Sequence, residues 1–257
     1  MLALLLACSF SEPETSPAVE PVEAAITAAT WDAWPADNGL IPTAAGLAEE
    51  LGSSGLAPRV ADLGSRISHD TDIVLASLAS MRTGAEIGVL LLEASAAAPD
   101  VRSARLARIG DGFEVLDLDT GPLERLRADS KEPVEGGWPA RIDTDRVLLA
   151  SLAGQRGDGV LPLALAGGWL QALWLVARAA ELEQSPDVAH ALLHRPEVDA
   201  YFEAYLAHCA GERFPDATID ALDEGMTTIR DLASNDPMSA DDVRRVRETA
   251  EGLLGMM

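Results

Sequence analysis

Apolar residues recur at helical spacing along most of the chain. Val198, Phe202 and Tyr205 follow one another at steps of four and three residues. Positions three and four apart share one face of an α-helix. The same spacing continues through Ile219, Leu222, Met226 and Ile229, and then through Val243, Val246, Ala250 and Leu253. The pattern predicts an all-α fold, a globular bundle of about eight to ten helices.

Residues 160–177 are the most apolar segment, with 18 residues and no charged side chain. A run of about 18 apolar residues is long enough to span a membrane. Pro162, Gln171, Gly167 and Gly168 lower its apolarity, and the flanking segments lack the excess of positive charge that marks a span. We interpret the segment as a central helix, with a membrane span as the alternative. Its predicted core residues are Leu165, Trp169, Leu173 and Val176.

Two further patterns predict separate helices at Asp72–Met81 and Gly84–Ala98. Gly84 and Gly88 in the second helix would let a neighbouring helix approach closely, as would the pair Gly167 and Gly168 in the central helix. Glu86 and Glu93 lie seven residues apart in the second helix, and we expect them on a solvated edge. A buried pair of carboxylates that holds an ion or moves a proton is the alternative.

The pattern is weakest over residues 106–120. Gly110-Asp111-Gly112 indicates a turn, and residues 113–117 alternate briefly, as in a strand. We expect a helix-turn-helix here, with a small hairpin as the alternative. Residues 130–141, rich in glycine and proline, predict a loop between two halves of the bundle.

Several helix ends are marked by their residue types. Ser185 followed by Pro186 predicts an N-cap and a first helical position, and Pro196 ends that short helix. Ser239 with Asp242 predicts a variant of the capping box.

The chain is strongly acidic, with 42 aspartate and glutamate residues against 19 lysine and arginine residues and a formal net charge of −23. Nucleic acids and anionic lipid headgroups are bound through clusters of basic residues, and the sequence contains no such cluster. We therefore expect no nucleic-acid partner. The acidity is typical of a protein kept soluble by its charge, and it also permits cationic partners.

A short apolar run leads directly to a cysteine at the start of the chain. Leu5-Leu6-Ala7-Cys8 resembles the lipobox of bacterial lipoproteins, in which small or aliphatic residues precede a cysteine that becomes acylated. The resemblance implies a lipid anchor on Cys8 and a place in the bacterial cell envelope, facing the periplasm or the outside. The run is short and no basic residue precedes it. Either the start lies upstream, or an ordinary N-terminus happens to contain a cysteine.

A second resemblance rests on two helical segments. Two segments resemble helical bacterial lipoproteins of uncharacterised role. One is the glycine and tryptophan pattern of residues 167–174, Gly-Gly-Trp-Leu-Gln-Ala-Leu-Trp, and the other is residues 82–90, Arg-Thr-Gly-Ala-Glu-Ile-Gly-Val-Leu. The similarity implies an all-α fold and an envelope location, and it brings no catalytic residues.

Asp187, His190 and His194 share one helical face, at steps of three and four residues. Imidazole and carboxylate ligands on one face can hold a transition metal. An acidic residue near a helix start and a histidine near a helix end are also what the helix dipole favours without any ligand. We interpret the three as a surface matched to the dipole, with a metal site as the alternative. Glu197, beyond Pro196, is expected on the following helix.

These patterns predict three regions: a signal remnant with lipidated Cys8 at residues 1–8, a disordered linker at 9–30 and a helical domain at 31–257. We expect a non-enzymatic interaction or scaffold module without a cofactor, attached to the membrane through Cys8 and bound to a protein partner. Two alternatives remain open. One is a metal-binding protein or metal-dependent hydrolase using Asp187, His190 and His194, and the other is a carrier of a small apolar ligand near Trp169 and Trp174.

Overall fold

The computed structural model describes residues 50, 53–56, 76–93, 99–124, 160–209 and 214–257. The described part forms eight helices and no strand, which confirms the predicted all-α class. Cys8, the linker at 9–30 and the loop at 130–141 lie outside it. The seven longer helices are α1 (Ala76–Glu93), α2 (Pro99–Val115), α3 (Val160–Glu183), α4 (Pro186–Leu193), α5 (Pro196–Cys209), α6 (Asp216–Ala233) and α7 (Ala240–Leu254).

Helix α3 is the centre of the bundle, with α1, α4 and α7 packed around it. It is the one helix in the described ranges that is long and apolar enough to cross a bilayer, and most of it is buried inside the protein. Trp169, Leu173 and Val176 lie in the core as predicted, whereas Leu165 is partly exposed. The interpretation as a central helix is therefore confirmed for this fold.

Helices α1 and α3 cross at unusually close range because their contact positions are glycines. A Cβ atom added to Gly84 would overlap the backbone carbonyl of Ala164, and one added to Gly167 would overlap that of Met81. Any other residue at these two positions would force the helices apart. The predicted close approach at the glycines is confirmed.

Two predicted breaks in the helices are wrong. Residues 76–93 form a single helix, so Arg82 and Thr83 do not separate two elements. Gly110 and Gly112 lie inside α2, and the turn comes later, at 116–120. Gly112 serves packing instead, because a Cβ there would overlap the hydroxyl oxygen of Thr83 on α1.

The predicted helix ends are confirmed in position. Ser185 is the N-cap of α4 and Pro186 is its first residue, although the Ser185 hydroxyl donates to the carbonyl of Glu183 instead of capping the helix. At α7, the Ser239 hydroxyl accepts a hydrogen bond from the Asp242 N–H at 3.1 Å, and the Asp242 carboxylate accepts one from the Ser239 N–H at 2.9 Å. This reciprocal pair is the capping box.

The C-terminal helices pack on the central helix and on each other. Helix α7 packs on both α3 and α6 and buries its predicted stripe, Val243, Val246, Ala250 and Leu253. Arg247 connects α7 to α3, since its Nε donates to the carboxylate of Glu181 at 3.0 Å. The side chain of Arg247 is only 17% exposed, so this ion pair is partly shielded from water.

Candidate functional site

The end of α4 brings together the two histidines singled out from the sequence. His190 lies in the last turn of α4 and His194 is its C-cap residue. Their rings stack, with centroids 5.2 Å apart and planes inclined by 10°. Both residues are partly buried. The spacing of four residues thus places two imidazoles side by side, as the sequence predicted.

A backbone carbonyl from another helix orients one of these rings. The Nδ1 atom of His190 lies 3.0 Å from the carbonyl oxygen of Ala233, the last residue of α6. Because a carbonyl only accepts hydrogen bonds, Nδ1 carries the proton and donates it. The Nε2 atom of His190 is then the ring nitrogen left for other interactions.

Asp187 does not join the two histidines. It lies exposed in the first turn of α4. Within the described ranges, no three His, Cys, Asp or Glu side chains are arranged to hold a metal ion. Glu197 lies on α5, as expected from Pro196. The structure therefore supports a pair of imidazoles at this place, without the predicted carboxylate.

A buried carboxylate that sequence reasoning missed lies on α5. Asp199 is only 5% exposed. Burial raises its pKa to about 7, although Arg230 on α6 lowers the pKa and Glu197 raises it further. Arg230 also forms an ion pair with Glu203, one turn beyond Asp199 on α5. The result is a charged cluster that joins α5 to α6 and exchanges a proton near neutral pH.

The sequence contains a pattern that indicates the burial of Asp199. Asp199 lies three positions before Phe202, so it shares the apolar face of α5 with that residue. An acidic residue in the first turn of a helix is also favoured by the helix dipole, and this common role conceals its burial.

Glu86 is also buried, at 1% exposure, so the expectation of a solvated edge is wrong for this residue. It lies in α1 two positions beyond Gly84, which places it on the side of the helix away from the crossing with α3. Nothing is described of the Glu93 side chain, so the predicted carboxylate pair stays untested.

The two tryptophans proposed for ligand binding belong to the packed core. Trp169 is 2% exposed and Trp174 is 1% exposed, and both lie in the main hydrophobic cluster. Between them, Gln171 is fully buried and neither atom of its amide has a hydrogen-bond partner. Trp169 and Trp174 therefore pack in the core.

The outer face of α6 is acidic. Asp216, Asp220, Asp223 and Glu224 are all exposed, at helical steps of four, three and one, so they share a side of the helix. Among the described residues none of the four forms an ion pair, and Arg230 of the same helix pairs with Glu203 and Asp231 instead. The acids of α7, in contrast, are paired, for example Asp241 with Arg244 and Glu251 with Arg247. We call the four carboxylates on α6 the acidic face.

The predicted lipidation residue, Cys8, lies outside the described residues. Cys209, the other cysteine of the chain, is the last residue of α5.

Comparison of the chain with protein-family models, with curated proteins and with solved structures finds no match in any of the three.

Proposed function

We propose that this protein is a lipid-anchored, non-enzymatic module of the bacterial cell envelope, and that its helical domain binds a positively charged protein partner. The observation that carries the proposal is the acidic face of α6. Four exposed carboxylates without an arginine partner in the described part of the chain leave a concentrated negative potential on one side of α6. A basic partner would gain attraction there and would associate faster.

The rest of the described surface supports recognition by charge. Among the described residues, the large apolar side chains with high exposure are Val115 at 53% and Leu182 at 46%. Single exposed apolar residues are normal on soluble proteins, whereas an extended apolar patch marks a hydrophobic interface. The described surface thus favours a polar interface with its partner.

The anchor rests on the resemblance of Leu5-Leu6-Ala7-Cys8 to a lipobox. Two acyl chains on Cys8 would hold the protein stably at a membrane surface, because each buried CH2 group contributes about 0.8 kcal/mol. The linker at 9–30 would then let the helical domain reach a partner away from the lipid surface.

The anchor is tested by the intact mass of the native protein extracted from membranes. The expected result is a mature chain that begins at Cys8 and carries the mass of its acyl chains. Cys8→Ser should remove the added mass and release the protein from the membrane fraction. Cys209→Ser is the matched control and should change neither. An unmodified chain in the soluble fraction of the cell would contradict the anchor.

The partner interface is tested with two charge-matched double variants. Asp220→Asn with Glu224→Gln removes two charges from the acidic face, whereas Asp111→Asn with Glu114→Gln removes two exposed charges from α2. Native protein is purified from solubilised membranes, and co-purified proteins are quantified by mass spectrometry. We expect one basic protein in stoichiometric amount, retained by the α2 variant and strongly reduced by the α6 variant.

The salt dependence of the complex provides a second measurement. An interface of exposed charges weakens as salt screens it, so the partner should dissociate on raising NaCl to about 0.5 M. Equal retention by both variants would overturn the acidic face as the interface. Catalytic turnover of a metabolite by the purified protein would overturn the non-enzymatic role itself.

A further inference from the structure

The histidine pair at the end of α4 has the four-residue spacing that places two imidazoles within reach of one metal ion. A transition metal lies about 2.0 to 2.1 Å from each imidazole nitrogen, so two nitrogens bound to one ion are about 3 to 4 Å apart. The ring centroids of His190 and His194 are 5.2 Å apart and the planes are nearly parallel. A metal ion lies in the plane of each imidazole that binds it, so one of the two stacked rings has to turn before both can bind the same ion. The His190 ring is held by Ala233, and the ring that turns is therefore that of His194.

The hydrogen bond from His190 to Ala233 has the form of a ligand-orienting contact. Histidines that bind metals almost always donate their other ring N–H to a carbonyl, a carboxylate or water, which fixes the tautomer and makes the ligand nitrogen more basic. Nδ1 of His190 makes such a bond at 3.0 Å, to a residue 43 positions away in the sequence. The folded bundle, and not the local helix alone, therefore prepares Nε2 of His190 as a ligand.

The electrostatic surroundings favour a cation. Ala233 ends α6 and His194 caps α4, so the negative ends of two helix dipoles meet at the pair. The nearest positive side chain in the sequence, Arg195, is engaged with the carboxylate of Glu50. The formal net charge of −23 raises the local concentration of cations around the whole protein.

We propose that His190 and His194 form a binding site for one divalent transition-metal ion of the zinc, nickel and copper class, through Nε2 of both rings. Imidazole suits these ions, whereas magnesium and calcium prefer oxygen ligands. Water fills the other coordination positions, because Asp187 is not placed as a third ligand. The site is independent of the proposed partner interface on α6.

The test is a titration of the full-length chain, purified in detergent, with Zn²⁺ by calorimetry and with Cu²⁺ by electron paramagnetic resonance. We expect one ion per chain, and a copper spectrum with splitting from two nitrogen ligands. His190→Ala and His194→Ala should each weaken binding by about tenfold or more. His208→Ala, which removes a histidine from α5, is the matched control and should leave the affinity unchanged.

Three further variants make the result decisive. His190→Gln keeps an N–H group for Ala233 and loses the imidazole, so it should fold normally and still lose the metal. Cys209→Ser should keep full affinity, because a thiol is not a ligand here. Asp187→Asn should also bind normally. A loss in Asp187→Asn as large as that in His190→Ala would overturn the two-histidine assignment.

The pH dependence gives an independent readout. Imidazole binds a metal only as the neutral ring, so affinity should fall as the solution is acidified from about pH 7.5 to about pH 5.5. Absence of binding at about 100 μM metal, a concentration well above the dissociation constant of a useful site, would overturn the proposal. Wild-type affinity in both His190→Gln and His194→Ala would do the same.

Discussion

At the scale of single residues, burial shifts the pKa of Asp199 more than Arg230 on α6 does. Burial is the largest cause of its raised pKa, and the attraction of Arg230 offsets only part of it. A carboxyl group whose pKa is raised on folding binds its proton more tightly in the native state. The stabilisation from this proton is therefore fully present below the unfolded-state pKa of 3.8, and it is lost as the pH rises from there through about 7.

Asp199→Asn tests this linkage. Asparagine resembles the protonated acid at every pH, so the stability advantage of the variant over the wild type should grow by about 2 kcal/mol between about pH 5.5 and about pH 8. Urea unfolding followed by circular dichroism at both pH values measures the difference. Asp220→Asn removes the same charge from the exposed surface and serves as the control. An equal effect in both variants would show that net charge, not burial, is the cause.

Ser239→Ala tests the capping box of α7. Loss of the hydroxyl removes the bond to the Asp242 N–H and should destabilise the protein by about 1 kcal/mol. Ser234→Ala, at the exposed end of α6, is a matched control whose hydroxyl donates only to a neighbouring carbonyl, and it should be nearly neutral. Equal thermal stability of the two variants would contradict an energetic role for the box.

The stability that the capping box contributes should also depend on pH. The hydrogen bond from the Ser239 backbone N–H, followed by that from its hydroxyl, lowers the pKa of Asp242. A carboxylate with a lowered pKa contributes stability at higher pH, and that contribution is lost as the pH falls through its folded-state pKa. The cost of Ser239→Ala should therefore shrink in acid, as measured by unfolding at a series of pH values below about 4.

At the scale of helices, the glycines at the crossing of α1 and α3 decide how closely the two can pack. Gly84 and Gly167 each face a backbone carbonyl of the other helix, which cannot move aside as a side chain can. The glycine pattern was visible in the sequence, and it predicted close approach correctly. The pattern could not name the partner, because helices distant in sequence meet only in the folded bundle.

Gly167→Ala should be destabilising by about 1 to 3 kcal/mol, since the added methyl group overlaps the carbonyl of Met81. Gly252→Ala on α7 is the matched control, because nothing lies within 4 Å of the added Cβ. There the better helix propensity of alanine should stabilise the protein by about 0.5 to 1 kcal/mol. Chemical denaturation of both variants measures these opposite signs, and a stabilising Gly167→Ala would refute the close crossing.

The element scale also shows where local patterns mislead. Gly110 and Gly112 have the residue types of a turn, yet α2 continues through them because Gly112 packs against Thr83. Glu86 has the residue type of a solvated edge, yet it is buried in the folded bundle. For the glycines, tertiary packing overrides a helix propensity that is worth only about 1 kcal/mol per residue.

At the scale of the whole molecule, repulsion among the acidic residues opposes the packed core. The formal net charge of −23 acts on a bundle in which a few ion pairs, such as Arg247 with Glu181, bridge the helices. Salt screens repulsion between exposed charges more than it weakens a partly buried pair. The balance therefore predicts a protein that becomes more stable as salt is added.

Raising NaCl from about 20 mM to about 300 mM should increase the free energy of unfolding by about 1 kcal/mol, because the screening length falls well below the size of the domain. Thermal unfolding in the two buffers, with a neutral osmolyte as the control for water activity, measures the effect. A loss of stability on adding salt would show that the ion pairs outweigh the repulsion.

The sequence by itself determined the class of fold, the central apolar helix, the close glycine contacts and the capping box of α7, because each follows from residue spacing along one helix. It also placed His190 and His194 on one face, four residues apart. Only the tertiary structure decided that Asp199 and Glu86 are buried, that Asp187 stays apart from the histidines and that Ala233 orients His190. These properties depend on which helices meet, and helices meet through contacts between residues far apart in the sequence, which local periodicity does not encode.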